Sequence, residues 1–182
     1  VDDSDWLARW CKAMQDGWPC QEDVPAPRLV DGIVIFSGIS LGMSTITYLA
    51  LAIHLPVLVA SFGASACLLF CVPKAPFAQP RNIIAGHILS AAVGVAFQNI
   101  LGCTWYSAAL SVGGATVAML YSRTLHPPAA ATALIAVLTT QGMLFPIYPV
   151  AVGATILVAA GRVISRLLPK VAQATVIYKK EG

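Results

Sequence analysis

From Gly32 to Lys180 this chain has no aspartate and no glutamate. Its acids lie outside that stretch: Asp2, Asp3, Asp5, Asp16, Glu22, Asp23 and Asp31 precede it, and Glu181 follows. Charged residues make up 10% of the 182 positions and hydrophobic ones 58%. A soluble domain carries roughly 25% charge, so composition excludes that class and points to an all-α, polytopic transmembrane helical bundle. The missing carboxylates also remove the orienting acid that a Ser-His nucleophile needs. Histidines at 54, 87 and 126 share no metal-ligand spacing. No glycine-rich loop runs into Lys-Ser or Lys-Thr to hold a nucleotide. An enzyme is therefore the least expected class, and no cofactor is required. Five cysteines form no disulfide framework. Cys67 and Cys71 stand one turn apart in an apolar run and read as small hydrophobes, while Cys11 and Cys20 alone are placed to pair in water. Residue 1 is not methionine and opens no signal-peptide pattern, which fits a processed N terminus and a removed presequence.

The apolar body is patterned by its cations. Residues 1–29 form a polar arm in which Trp6, Trp10 and Trp18 alternate with charge. Asp5 to Gln15 has the face of a short amphipathic helix for the bilayer surface, or of a docking arm for a partner. Residues 30–170 form the membrane domain and 171–182 a basic tail suited to anionic lipid headgroups rather than nucleic acid. Within the domain six apolar runs are expected: 30–55, 56–72, 82–102, 105–121, 127–140 and 147–168. A full crossing needs about 20 residues. If all six cross, the arm, the 73–81 loop, the 122–126 loop and the tail share one side. These, with the segment from Arg162 to Lys170, contain every Lys and Arg, and the opposite loops contain none. That is the positive-inside pattern. Long, short and long runs recur in each half, which suggests two inverted three-segment halves with short broken helices, as in transporters. Gly38 and Gly42 in the first run, and Gly86, Ser90 and Gly94 in the third, form small-residue faces for close helix contact.

The organising stretch is Ser122-Arg-Thr-Leu-His-Pro-Pro-Ala-Ala-Ala-Thr-Ala-Leu134. Pro127 and Pro128 cannot continue a helix arriving from Tyr121, but they can begin another. A helix N terminus beside Arg123 and His126 is a place for an anion. Thr132, Ser61 and Ser65 could supply hydroxyl donors, with Arg81, Asn82 and His87 lining the matching region of the other half. The absence of carboxylates suits an anion, and it also removes the groups that proton or sodium coupling often uses. Each residue has a plainer alternative. Arg81 and Arg123 serve equally as topology markers, His87 as a packed residue bonded to a neighbouring helix, and His126 as a loop-fixing group.

Three blocks give the chain a family resemblance: Ser61-Phe-Gly-Ala-Ser-Ala66 with Ala78-Gln-Pro-Arg-Asn82 and Gly86-His87; Ser122-Arg-Thr-Leu-His-Pro-Pro128; and Ala131-Thr-Ala-Leu134. Over roughly residues 30–168 it resembles the HPP family of integral membrane proteins, named for the triplet His126-Pro127-Pro128. Where the family more usually has glycines after the prolines, this chain has Ala129 and Ala130. The resemblance implies a small helical membrane protein, and its cyanobacterial and plastid members are associated with nitrite transport. The expected function is thus a carrier or channel for a small inorganic anion, nitrite first. A plastid envelope or thylakoid location is expected before a bacterial or mitochondrial inner membrane. The alternative is a non-catalytic accessory subunit of a larger photosynthetic or respiratory membrane complex, docked through the tryptophan-rich arm. In that setting His54 or His87 could ligate a chlorophyll-type pigment. Membrane lipid is the expected partner in both cases, with a homo-oligomer or a larger complex formed through the arm.

Overall fold

The computed structural model describes residues 29–52, 60–73 and 75–167; the N-terminal arm, His54 and the basic tail lie outside them. The described residues are helical throughout, without strands. Helix α1 spans Leu29–Ala52, α2 Ser61–Cys71, α3 Pro80–Leu101, α4 Trp105–Tyr121, α5 Pro127–Leu138 and α6 Val152–Leu167. A short 3-10 turn, Pro76–Ala78, precedes α3, and a π-type turn, Pro146–Ala151, leads into α6.

Local chemistry sets these limits. Pro80 opens α3, and Pro127 and Pro128 open α5, positions where the missing N–H costs nothing. Thr104 caps α4 by accepting the Ser107 backbone N–H at 3.2 Å. Of the expected 56–72 run, residues 56–59 lie outside the described residues, and α2 begins at Ser61. The last run is interrupted at Tyr148, whose φ of −133° and ψ of 117° lie outside the helical region, between Pro146 and Pro149. Pro80–Leu101 and Pro146–Leu167, each 22 residues, are long and apolar enough to cross a membrane. Helices α2 and α5, at 11 and 12 residues, reach only about 17–18 Å at 1.5 Å per residue.

The ends of α4 and α5 share a device. After α4 the Thr124 N–H donates to the Met119 carbonyl at 2.9 Å and the Arg123 N–H to that of Leu120 at 3.1 Å. After α5 the Gln141 N–H donates to Ala136 and the Thr140 N–H to Val137. Both are Schellman closures, which put one residue in the left-handed region and usually choose glycine for it. Here Arg123 (φ 55°) and Thr140 (φ 49°) take that place. A residue with a Cβ loses roughly 1–2 kcal/mol in that well, and glycine's greater chain entropy offsets part of the relief. Thr140→Gly is therefore expected to stabilise the protein by about 1 kcal/mol, read as a rise in thermal midpoint in detergent.

Helix α3 is central, touching α4, α5, α6 and both short turns, while α1 packs on α2 and α6. The apolar core gathers Ile46, Phe62, Phe70, Val95, Phe145 and Leu157. Glycines permit the closest approaches. A Cβ on Gly94 would fall 2.5 Å from the Ala133 carbonyl oxygen and 2.8 Å from its Cα. One on Gly42 would fall 2.9 Å from the Phe70 ring. The small-residue faces expected in the first and third runs are thus contact faces, with α3 lying directly on α5.

Candidate functional site

Where α2, α3 and α5 meet, five polar side chains are buried together: Ser61 is 5% exposed, and Ser65, His87, His126 and Thr132 are 0% exposed. Each helix places its residues by simple periodicity. Ser61 and Ser65 are four apart on one face of α2. His87 sits one turn past Ile83 and directly after Gly86 on the buried face of α3, and Thr132 faces it from α5. His126 is the residue immediately before α5, with extended backbone (φ −139°, ψ 95°) imposed by the following proline. A Cβ on Gly86 would meet both His126 Cβ and the Thr124 carbonyl at 3.0 Å. That glycine is what admits the break so close to α3.

The five groups form one continuous chain. Ser61 Oγ lies 2.8 Å from Thr132 Oγ1, and Thr132 Oγ1 lies 2.7 Å from His87 Nδ1. His87 Nε2 lies 2.8 Å from Ser65 Oγ, and Ser65 Oγ lies 2.8 Å from His126 Nε2. His126 Nδ1 closes the chain 2.7 Å from the Phe77 carbonyl oxygen, in the turn before α3. The two imidazole centroids are 5.2 Å apart, and the Phe62 ring meets His87 edge-on at 5.0 Å. A carbonyl can only accept, so His126 Nδ1 carries a proton and donates it to Phe77. With His126 neutral, its Nε2 must accept, and Ser65 must spend its one proton there. His87 then donates from Nε2 to Ser65 and accepts at Nδ1 from Thr132, which accepts in turn from Ser61. Every donor and acceptor along the chain is matched, and the two histidines hold opposite tautomers.

The remaining candidates sit elsewhere. Arg81 and Arg123 are exposed, and neither guanidinium bonds to a described residue. Asn82 braces the site: its amide nitrogen donates to the Pro76 carbonyl at 3.0 Å and the Leu125 carbonyl at 3.2 Å, tying the turn to the break. The helix-end anion site expected at α5 needs correction. Pro127 and Pro128 have no N–H to offer, and the Ala129 N–H already donates to the His126 carbonyl at 2.9 Å. Pro127 is exposed and acts by starting the helix. Ala129, where the resembled family more often has glycine, is fully buried; the close backbone approach is made instead by Gly86 and Gly94. Two participants escaped sequence reasoning. The Phe77 acceptor is a backbone atom, invisible in residue type, and Phe62 reads as one more apolar residue until its ring is seen against His87.

Helices alone among the described residues, two of them long and apolar enough to cross a membrane, fit a helical membrane protein, and similarity to other proteins agrees. The chain belongs to the HPP family: that family's transmembrane region matches residues 24–173. Two transmembrane proteins of Dictyostelium discoideum are similar. One is 40% identical over 129 residues, covering 66% of this chain and 45% of that protein. The other is 39% identical over 121 residues, covering 62% and 39%. The chain therefore spans less than half the length of these curated relatives. No solved structure matches it. The protein is an integral membrane protein.

Proposed function

We propose that this HPP-family chain is a carrier or channel for a small inorganic anion, with nitrite the first candidate, and that it acts in a plastid membrane. The observation that carries the reading is the buried chain of Ser61, Thr132, His87, Ser65 and His126 inside a body without a carboxylate side chain from Gly32 onward. Polar and ionisable groups are costly inside a membrane protein, and where they gather they mark solute or proton paths. Two short helices start or pass at this cluster, one in each half of a long–short–long order. That favours six crossings in two inverted halves, with the solute site between them. The exposed positions of Arg81, Arg123, Arg162 and Arg166 favour one cation-rich face, where both arginines preceding the cluster would gather anions.

The experiment is nitrite uptake by the purified chain in liposomes, wild type against Arg123→Gln. A rim cation raises local anion concentration and is screened by salt. The variant is expected to take up nitrite several-fold more slowly at low ionic strength, with the difference closing as salt rises. Equal uptake at low salt would reduce Arg123 to a topology marker. Failure of the wild type to move nitrite would favour the accessory-subunit reading, with a partner docked through the arm or a second copy of the chain. A pigment held by His87 fits poorly with that alternative, since both ring nitrogens are already bonded.

A further inference from the structure

The buried chain poses an electrostatic difficulty for an anion. Its two imidazoles are neutral when every bond in it is satisfied, and the arginines are at the exposed rim. Facing the rings are Ser61, Phe62 and Ser65 from α2, the Phe77 carbonyl from the turn, Gly86 from α3, and Thr132 from α5. Among the described residues the only titratable partner of each histidine is the other. An unaccompanied anion would meet no compensating charge there, and a lone charge in low dielectric is heavily penalised.

The same chain can supply that charge by taking one proton. With the extra proton on His87, Nδ1–H donates to Thr132 and Nε2–H to Ser65, while Thr132 turns its proton to Ser61. With it on His126, Nε2–H donates to Ser65, whose own proton turns to His87 Nε2 or to the Ser61 carbonyl, 3.1 Å away. The transfer between rings passes through one hydroxyl: from protonated His87, Ser65 gives its proton to His126 Nε2 as it receives one from His87 Nε2, which leaves His87 with its proton on Nδ1. No bond other than O–H and N–H is made or broken, and the reverse transfer restores the resting tautomers. We propose that the Ser61–Thr132–His87–Ser65–His126 chain is a proton-binding relay, and that it loads one proton with each anion carried, so that the pair crosses the apolar body without net charge. This inference rests on the carrier reading and goes beyond it by naming the co-transported ion and the atoms that hold it.

The test uses the full chain in liposomes with the membrane potential clamped by potassium and valinomycin. Nitrite uptake and lumenal pH, reported by a trapped dye, are followed together. Protein-free liposomes are subtracted, because nitrous acid leaks through lipid. Expected is lumenal acidification of one proton per nitrite. The rate should fall by about tenfold per unit as pH rises above the value at which a one-proton site is half loaded. Ser65→Ala should cut both fluxes together by breaking the only link between the rings. A second readout is independent of transport: nitrogen NMR of the histidines, with His54→Gln leaving two imidazoles. At alkaline pH one ring should hold its proton on Nδ1 and the other on Nε2. Nitrite uptake with no pH change would overturn the coupling and leave the carrier reading standing. Two rings in the same tautomer would overturn the relay. No nitrite movement at any pH would overturn the carrier reading and the coupling with it.

Discussion

Gly94→Val is expected to destabilise the protein by about 2–3 kcal/mol, the upper part of the range for overpacking a close-packed interior. Even the first added carbon would sit 2.5 Å from the Ala133 carbonyl oxygen, 2.8 Å from Ala133 Cα and 2.8 Å from Ala136 Cβ. Two of those atoms are backbone, which cannot turn aside as a side chain can. Helices α3 and α5 would have to separate, and the hydrogen bond most exposed to that movement is Thr132 to His87, now 2.7 Å. The variant should therefore lose both thermal midpoint and whatever activity depends on the buried chain. Gly113→Val is the matched control, since a Cβ there meets nothing within 4 Å, and its midpoint should stay within the scatter of surface changes. Equal midpoints for the two variants would mean that α3 and α5 are not in the contact described.

What the sequence makes legible here follows from which features have a length or a direction in one dimension. Helix α4 begins and ends where its apolar run does, because Thr104 caps it and the polar Ser122–Thr124 closure ends it ahead of the proline pair. Break points set by spacing alone are harder to read. Pro149 falls inside an apolar run of full length and Pro146 just before it, and hydropathy gives no weight to the bend at Tyr148. The candidate site divides along the same line. Ser61, Ser65, His87, His126 and Thr132 are polar residues of the small-residue blocks, and burial makes them seek one another, because buried polar groups need hydrogen-bond partners. Arg81 and Arg123 carry fixed charge and stay where they can be solvated, so adjacency in sequence to His126 says nothing about sharing its surroundings. The α5 terminus was read from the general rule of exposed N–H groups, which proline itself negates at its first two positions. Proton direction along the chain depends on one carbonyl, Phe77, and no residue alphabet shows where a carbonyl points.

His87→Leu is expected to separate the chemistry of the site from its packing. Leucine has bulk enough to face the Phe62 ring, so little cavity opens. Hydrogen bonds between membrane helices are worth about 0.6 kcal/mol on average, so losing the bonds to Thr132 and Ser65 should cost about 1 kcal/mol. Both hydroxyls have other acceptors at hand: Thr132 can turn to Ser61 Oγ and Ser65 retains His126 Nε2. The fold should thus survive, with a thermal midpoint within a few degrees of the wild type. Flux should not. Even on the mildest scale a charge at the centre of a membrane helix costs about 2.5–3.5 kcal/mol, and each 1.36 kcal/mol is about tenfold in rate. If the proton on this ring is what compensates the anion, nitrite uptake should drop by about two orders of magnitude while the protein remains folded. Loss of that size with an intact midpoint is not produced by loosened packing, which lowers both together. Uptake within a factor of about two of the wild type, about a third of a pH unit's worth of charge stabilisation, would instead mean that the imidazole is a strut between helices and that the solute passes elsewhere.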